Sequence, residues 1–512
     1  MIPGIRIKSV ASLVRESEQS TVRLKTALGP LQLTALGIGA IVGAGLFSSV
    51  GTAAAGGENH LGAGPALVIS FVLVAIACGF AALCYAELAS MVPVAGSAYT
   101  YAYATLGELA AWVIGWDLIL EYAVGNVAVA ISWSAYFQEL LRGLGFSFPV
   151  WLGTDFRSAL QAANAVAAAN DPATLSATVL RDAEAWRTAP QIFGLQIIFN
   201  LPAFAIVALI TWLLVIGIRE TARFNTVLVV LKLAVVFFFL ALGAFYIDPE
   251  NWRPFAPNGL AGISSAAAII FFAYIGFDAV STAAEETKNP QRDLPIGILA
   301  SLIICTVIYI AVALVLTGLT SWTKLGTAEP LATALVERGL GWVAGIVAVG
   351  ALLANTSVLI PFQVGQPRIF FAMARDGLLP AWAARVHPRF RTPHVTTILT
   401  GAFVAVFASA TNINEMVELT NIGTLFAFML VAAGVIVLRR TDPDRPRPFR
   451  TPLVPLVPLA AMGCCGYLMF QLPLVTWKRF GWWLLVGLAV YFLYGMHRSK
   501  LRGEPPAPRT GA

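Results

Sequence analysis

Charge is scarce in this 512-residue chain. Asp, Glu, Lys and Arg together make up 12% of it, whereas 58% of its residues are apolar. Soluble proteins carry about twice that share of charge, roughly 25%, because charged side chains cover their surface. Helices that face hydrocarbon need no such cover. The shortage of charge therefore excludes a soluble enzyme, a secreted module and a disordered scaffold, and it predicts a membrane protein.

Cysteine and histidine are also few, at five and four residues. An odd number of cysteines, all inside apolar stretches, provides neither a disulfide framework nor the spacing of metal ligands. The histidines lie in loops or at the ends of apolar stretches, and no Ser-His-acid arrangement, HExxH motif or Walker A motif is present. The sequence therefore predicts no enzyme, no catalytic residue, no metal and no cofactor.

Twelve apolar stretches are long enough to cross a bilayer, which takes about 20 residues of helix. We therefore predict an all-α polytopic membrane protein with twelve transmembrane helices. The predicted spans are 31–55, 65–91, 108–140, 192–218, 225–247, 259–282, 294–319, 332–373, 394–410, 416–438, 454–471 and 481–496.

The positive charges indicate how these spans are oriented. With the N-terminus inside, the cytoplasmic segments carry 23 of the 33 Lys and Arg residues and the outer loops carry nine. Cytoplasmic loops retain such charge, so we expect the tails 1–30 and 497–512 on the cytoplasmic side of the plasma (inner) membrane. The first tail lacks the compact apolar core and cleavage site of a signal peptide. Because basic residues concentrate in alternate loops, the net charge of +6 predicts contact with membrane lipid and not with nucleic acid.

One long loop, about 143–191, interrupts the pattern with an Ala-rich, mildly amphipathic stretch. We expect it to form short helices on the outer side of the membrane. Two interpretations stay open for this insertion. It is either a surface addition without chemistry, or a lid or partner-binding element.

Glycine is concentrated in two spans. The first contains GIGAIVGAGLF over 37–47, and the sixth contains FFAYIGFDAVST over 271–282. Such clusters let a helix unwind in mid-membrane, and the freed N–H and C=O groups must then line a cavity. A helix that resumes after a break attracts a carboxylate and free carbonyls suit an ammonium group, so the pair predicts a site for an α-amino acid. The alternative is close helix packing through the GxxxG of Gly39 and Gly43.

Ionisable residues inside spans are costly and therefore indicate function. Lys232 lies about 10 Å into the fifth span, where it could lose its proton during a working cycle. The alternative is a lysine whose head extends back to the inner headgroups. Glu121, one helical turn after Asp117, could relay a proton, contact substrate or hold neighbouring helices together. Glu87 is expected near the inner interface without a special role.

Polar side chains also cluster in the eighth span, at Asn355, Thr356 and Ser357. Their oxygens can ligate sodium, bond a neighbouring helix or bond the carbonyl four residues earlier. Phe362 follows in the same span, and if it faces the site its bulk favours a small substrate.

Four segments carry a resemblance to a known family. They are GIGAIVGAGLF, CYAELASMVPVAGSAYTYAYATLGELAAWVIGWDLILEYAV, FFAYIGFDAVSTAAEETKNPQRDLPIGI and GQPRIFFAMARDGLLP. The chain resembles permeases of the amino acid-polyamine-organocation (APC) superfamily and, within it, bacterial relatives of the cationic amino acid transporters. The resemblance implies a LeuT-type fold, with an inverted repeat of five spans in 31–247 and five in 259–438, followed by two C-terminal helices in 454–496.

The resemblance also implies site residues. The substrate carboxylate would meet amides of the first break, and the ammonium group would meet carbonyls of both breaks. The implied substrate contacts are Ile41, Gly43, Ala44, Gly45, Phe272, Ala273, Ile275, Gly276 and Phe277, the last as an aromatic gate. Lys232 is similar to a lysine that takes the place of a sodium ion in proton-coupled relatives. Glu121 matches a carboxylate linked to the site in such relatives.

We therefore predict a proton-coupled amino-acid symporter that works by alternating access. The alternatives are a sodium-coupled symporter that uses the eighth-span cluster, an amino-acid exchanger and, more remotely, a membrane sensor of amino acids. The expected partners are an amino acid, membrane lipid and, as an open possibility, a small accessory membrane subunit. The oligomeric state and the choice between small neutral and cationic substrates stay open.

Overall fold

The chain folds as a bundle of α-helices. The computed structural model describes Lys8 and residues 28–57, 60–92, 97–146, 148–169, 171, 175, 177–217, 222–390 and 392–502. Most of the predicted tail 1–30, and residues 503–512 of the other tail, lie outside the described residues.

Each predicted span overlaps one main helix, and these helices are labelled α1 to α12. They are α1 (Pro30–Ile41 and Gly45–Ala55, bent by 45°), α2 (Gly64–Met91), α3 (Glu108–Gly143), α4 (Leu201–Ile216), α5 (Thr226–Tyr246), α6 (Gly259–Ala284), α7 (Pro290–Leu319), α8 (Gly341–Arg375), α9 (His394–Ala410), α10 (Ile413–Thr441), α11 (Leu456–Phe470) and α12 (Leu474–Arg498).

Within the described part of the chain, eight of these helices are long and apolar enough to cross a membrane, or nine with the bent α1. The helices α4, α9 and α11 are apolar but have only 16, 17 and 15 residues. A perpendicular span needs about 20. The prediction of an all-α polytopic membrane protein is confirmed, whereas the count of twelve spans stays a prediction.

The predicted start of the fourth span at residue 192 is wrong. Residues Gln191–Ile192 and Leu195–Gln196 form a two-stranded antiparallel hairpin, and its turn contains Gly194 with φ of +78°. The helix α4 starts only at Leu201, where the Asn200 Oδ1 accepts a hydrogen bond from the Ala203 N–H at 3.2 Å. Turn and cap chemistry thus overrides hydrophobicity over these nine residues.

The predicted eighth span is also two helices instead of one. A short helix, Pro330–Glu337, ends at a turn where Gly339 has φ of +74°, and α8 then starts at Gly341. A further short helix, Ser97–Thr105, lies between α2 and α3 and was not predicted. Both short helices are set off by glycines with positive φ, which end helices readily.

The insertion 143–191 forms short helices, as predicted. Its two main helices are Phe156–Ala168 and Ala177–Thr188, and the Asp155 side chain caps the first by accepting from the Ser158 N–H at 2.8 Å. The two helices pack on each other around a small core that is separate from the main one. That core consists of Ala159, Ala185, Ala189 and Ile198.

The main core lies where the helices cross α1 and α6. Helix α7 packs along α2 and the first half of α1, and α8 packs along α3 and α5. The segments of α1 and α6 that depart from α-helical geometry are therefore buried among other helices and do not face lipid. The two-repeat arrangement of 31–247 and 259–438 stays a prediction.

Candidate functional site

Helix α1 is interrupted within its glycine-rich segment. Its first half ends at Ile41, Val42 is extended with ψ of 98°, and the helix resumes at Gly45. A Cβ at Gly43 would lie 2.7 Å from the Val358 Cγ2, and one at Gly45 would overlap the Cα of Ala273. These glycines therefore serve both alternatives considered from the sequence, because the helix breaks here and also packs closely.

Helix α6 is interrupted at the matching place. Residues Phe271–Tyr274 form a 3-10 turn, Ile275 is extended with ψ of 132°, and Gly276 has φ of +120°. A Cβ at Gly276 would lie 2.9 Å from both the carbonyl carbon and the oxygen of Ala40. Only glycine fits such a conformation at such a distance. The two breaks therefore face each other.

Tyr309 of α7 joins the two breaks. Its hydroxyl lies 2.9 Å from the Ile41 carbonyl oxygen and 2.9 Å from the Ala273 carbonyl oxygen. A phenol has one hydrogen to donate, so it cannot satisfy both carbonyls fully at once. One carbonyl of this pair is therefore left with acceptor capacity, and both belong to the carbonyls that the resemblance implies for the ammonium group of a substrate.

Lys232 of α5 is fully buried, and its amine contacts the break in α1. The Nζ donates to the Gly39 carbonyl at 2.5 Å, to the Val42 carbonyl at 2.9 Å and to the Ser357 Oγ at 3.0 Å. An ammonium group has three hydrogens, and each meets an acceptor here. The amine does not extend towards the headgroups. The carbonyls that it contacts lie at the end of a helix, where the last carbonyls have no partner in the helix itself.

The three polar residues of α8 point to different partners. The Asn355 amide donates to the Ser132 Oγ at 2.8 Å, and the Ser357 Oγ accepts from Lys232. The Thr356 Oγ1 donates to the carbonyl four residues earlier at 2.7 Å and accepts from the Trp133 indole at 3.1 Å. Their hydrogen-bond partners thus lie on α3, on α5 and within α8 itself.

Glu121 of α3 contacts α10, and Phe362 of α8 contacts α3. Glu121 is buried in a π-helical turn of α3 and accepts a hydrogen bond from the Thr424 Oγ1 of α10 at 3.2 Å. Phe362 packs against the Tyr122 ring, with centroids 5.4 Å apart. Asp117 is also buried, and within the described residues its carboxylate has no hydrogen-bond partner.

Phe277 is fully buried directly after the break in α6. Its ring packs against Phe428 of α10 at 5.1 Å and against Tyr85 of α2 at 5.9 Å. The implied aromatic gate thus belongs to a cluster that connects α2, α6 and α10.

The comparison with known proteins identifies the family. Residues 28–493 match the profile of the amino acid permease family. The chain belongs to the amino acid permease family. This permease is 47% identical to the branched-chain amino acid permease BcaP of Bacillus subtilis, with 97% of this chain and 98% of the relative covered.

Two further relatives have other printed functions. The methylthioribose transporter of Bacillus subtilis is 44% identical, with 97% of this chain and 98% of the relative covered. The vacuolar cationic amino acid transporter 4 of Arabidopsis thaliana is 36% identical, with 85% and 68% covered. The resemblance to the APC superfamily is confirmed, and the permease is a multi-pass membrane transporter of amino acids and not an enzyme.

The expectation that Glu87 has no special role is wrong. This carboxylate of α2 is buried and accepts from the Arg439 guanidinium at 2.8 and 2.9 Å and from the Thr451 N–H at 2.7 Å. The guanidinium of Arg447 lies 3.4 Å away. Glu87 thus joins α2 to α10 and to the segment after it, because a buried carboxylate needs such partners.

Tyr309 is the site residue that sequence reasoning missed. It lies in an uninterrupted apolar run of α7, where a tyrosine is usually a packing residue. Its hydroxyl could have indicated a polar contact, since a buried phenol almost always finds a hydrogen-bond acceptor. Only the fold shows that the acceptors belong to the two breaks.

Proposed function

We propose that this permease is a proton-coupled amino-acid symporter that works by alternating access, with its substrate at the facing breaks of α1 and α6. The observation that carries the proposal is the buried Lys232 amine on the carbonyls of Gly39 and Val42. A titratable group in contact with the substrate-binding helix can couple protonation to movement of that helix. The family supports amino-acid transport, and the coupling is our proposal.

The substrate is held by main-chain groups. Its carboxylate meets the amides of Gly43, Ala44 and Gly45, where the second half of α1 starts and its first N–H groups have no partner within the helix. Its ammonium group meets whichever carbonyl of Ile41 and Ala273 the Tyr309 hydroxyl leaves free. Phe272, Ile275, Gly276 and Phe277 complete the wall of the site.

Protonation of Lys232 controls the break in α1. The charged amine holds the Gly39 and Val42 carbonyls and the Ser357 hydroxyl with three hydrogens. After loss of the proton, two hydrogens remain and the positive charge is gone, so the hold weakens because hydrogen bonds from charged donors are roughly twice as strong. The first half of α1 is then free to move, and the site opens to the other side. For symport, the proton and the substrate must favour the same state.

A neutral aliphatic amino acid is the substrate class that the site supports best. None of the proposed contact residues carries a charge that would neutralise a cationic side chain. One relative is named a branched-chain amino acid permease and covers almost the full chain at 47% identity. Methylthioribose, named for another relative, lacks the carboxylate and the ammonium group that the two breaks would bind.

Sodium coupling is the weaker candidate. It would need oxygen ligands at one point, and Asn355, Thr356 and Ser357 have separate partners. The Lys232 amine also takes up the carbonyls of the α1 break that a cation would use.

Uptake into proteoliposomes tests the proposal. An inward pH gradient should drive accumulation of L-valine, and Lys232→Ala should abolish it. The matched control is Arg253→Ala, which removes an exposed cation and should leave uptake unchanged. A panel of L-alanine, L-leucine, L-lysine and methylthioribose identifies the substrate class, and choline in place of sodium tests the sodium candidate. Uptake that ignores the pH gradient would mean a facilitator or an exchanger.

A further inference from the structure

A second polar cavity lies beyond the second half of α1. Its volume is about 130 Å³. It lies between α1, α3, the insertion, the segment 326–328 and the start of α10. The lining residues that matter for its chemistry are Ser49, Thr52, Asp155, Arg181, Asp182 and Asn414.

This cavity is close to the substrate site but separate from it. Ser49 comes four residues after Gly45, which corresponds to about 6 Å along a helix. Between them, the Ser48 hydroxyl hydrogen-bonds to the Ser132 hydroxyl at 2.6 Å and donates to the Ala328 carbonyl. The cavity therefore lies on the side of the site that the sequence predicts to be outside.

The size of the cavity suits a small amino acid. An engineered protein cavity of roughly 150 Å³ binds benzene, which has six heavy atoms. Alanine also has six. The lining is mostly polar, and the Ser49 Oγ is buried without a hydrogen-bond partner in the described structure. A buried hydroxyl without a partner is costly, so a ligand or water that reaches it is favoured.

Opposite charges lie close together where the insertion helix Ala177–Thr188 covers this cavity, a part that we call its roof. The guanidinium of Arg181 lies 3.5 Å from the Asp182 carboxylate and 3.6 Å from the Glu329 carboxylate. The Asp182 Oδ1 and the Arg181 Nε are both buried, and neither has a hydrogen-bond partner in the described structure. An ammonium group can therefore bind the Asp182 carboxylate while a carboxylate group binds Arg181.

The insertion is tied to the helices that would move. The Arg157 guanidinium pairs with Glu415 of α10 at 2.9 Å. Next to it, the Asn412 amide donates to the Ser158 hydroxyl at 2.7 Å. The Thr52 hydroxyl of α1 then donates to the Asn414 side chain at 3.0 Å. The roof is thus connected through the start of α10 to the second half of α1.

We propose that the insertion and α1 form an outer binding site for a zwitterionic amino acid, which Arg181 and Asp182 hold before it reaches the central site. This inference rests on the proposed transport of amino acids. It gives the insertion a function, which is to capture substrate at the outer entrance. Of the two interpretations left open by the sequence, it favours the lid over a surface addition without chemistry.

Equilibrium binding of tritiated L-alanine to the full-length permease in nanodiscs tests this site. The wild type should bind about two molecules per chain. Arg181→Ala and Asp182→Asn should each leave one, and each should raise the KM of uptake at least about tenfold with kcat unchanged, because each removes a charged partner of the substrate. Arg187→Ala is the matched control, since Arg187 is exposed on the same helix and does not line the cavity.

The outcomes separate the two proposals. One molecule per wild-type chain, unchanged by Arg181→Ala and Asp182→Asn, would overturn the outer site and leave the proposed symport intact. Two molecules per chain with uptake that ignores the pH gradient would support the outer site and contradict proton coupling. Size-exclusion elution and Tm equal to those of Arg187→Ala show that the variants fold. Asp182→Asn keeps the side-chain shape, so it tests charge even if Arg181→Ala unfolds.

Discussion

The central breaks and the cavity under the insertion are the two sites that we propose for a zwitterionic amino acid, and they offer different chemical groups. At the breaks, the groups that would face a zwitterion are amides and carbonyls of the main chain, supported by Tyr309 and Lys232. Under the insertion, they are charged side chains, Arg181 and Asp182. The difference follows from burial: isolated charges cost far more among apolar helices than near water, whereas main-chain dipoles are present at any break. The deep site therefore relies on main-chain groups that glycines expose, and the shallow site relies on charged side chains.

The largest expected effect is on the glycine of the central site. Gly276→Ala would place a Cβ 2.9 Å from the Ala40 backbone at φ of +120°. Strain of this kind costs about 1–3 kcal/mol and would push the two breaks apart. We expect uptake of L-valine to be abolished and Tm to fall.

The control for that change is Gly345→Ala in α8. Gly345 has no atom within 4 Å of an added Cβ. The Gly345→Ala variant should therefore have the uptake rate and the Tm of the wild type. Normal uptake by Gly276→Ala would show that the close approach of the breaks is not needed.

The next effect concerns the shared hydroxyl. Tyr309→Phe keeps the ring and removes the donor to the Ile41 and Ala273 carbonyls. A buried acceptor left without a partner costs about 1–3 kcal/mol, so we expect a lower Tm that added substrate partly restores, because its ammonium group replaces the lost donor. Thermal unfolding with and without L-valine measures this.

Tyr467→Phe is its control, since this half-exposed tyrosine of α11 bonds Ser264, which lies seven residues before the α6 break, about 10 Å along the helix. A Tm loss in Tyr309→Phe that substrate does not reduce would contradict an ammonium group at these carbonyls.

A smaller expected effect is a pH dependence of L-alanine binding at the outer site, which the central site should not share. Burial raises the pKa of Asp182 to about 6, while Arg181 lowers it and the carboxylates of Asp155 and Glu329 raise it. An ammonium group binds the ionised carboxylate, so outer-site affinity should be full above about pH 7 and fall as the pH drops through 6. Binding of L-alanine across pH measures this.

In Asp182→Asn, the outer-site binding and its pH dependence should both be lost, while the central site is unaffected. A titration of the same shape in Asp182→Asn would assign it to another group.

The smallest effect is expected at the edge of the insertion. Arg157→Ala removes a half-exposed ion pair with Glu415. Such pairs contribute only about 0.2–1 kcal/mol, so Tm should change by a degree or two at most and central binding should not change. A large loss of central binding would show that the insertion and the breaks are one unit.

The sequence predicted the deep features better than the shallow ones. Glycine clusters marked both breaks, and Lys232 was conspicuous because no other lysine or arginine lies inside an apolar run of that length. Local composition suffices for such features. The partner of Glu87 and the acceptors of Tyr309 are hundreds or tens of residues away in the chain, so no local pattern could show them.

The predicted helix boundaries were wrong where turns and helix caps, and not hydrophobicity, determine the end of a helix. The hairpin at Gln191–Gln196 and the turn at Gly339 lie in stretches whose hydrophobicity alone favoured helix. The cavity was also not predictable, because its walls come from six separate parts of the chain.

Recognition through peptide groups has an evolutionary consequence. The main chain is the same whichever side chains are attached. At the proposed site, substitutions around the breaks could therefore change which substrate side chain fits while the contacts to the shared carboxylate and ammonium groups remain. If main-chain groups bind the shared part of the substrate and side chains select the rest, relatives named for branched-chain and for cationic amino acids are expected. Substitutions in the walls of the site would then change substrate choice at little cost in stability, whereas a substitution at Gly276 would strain the backbone.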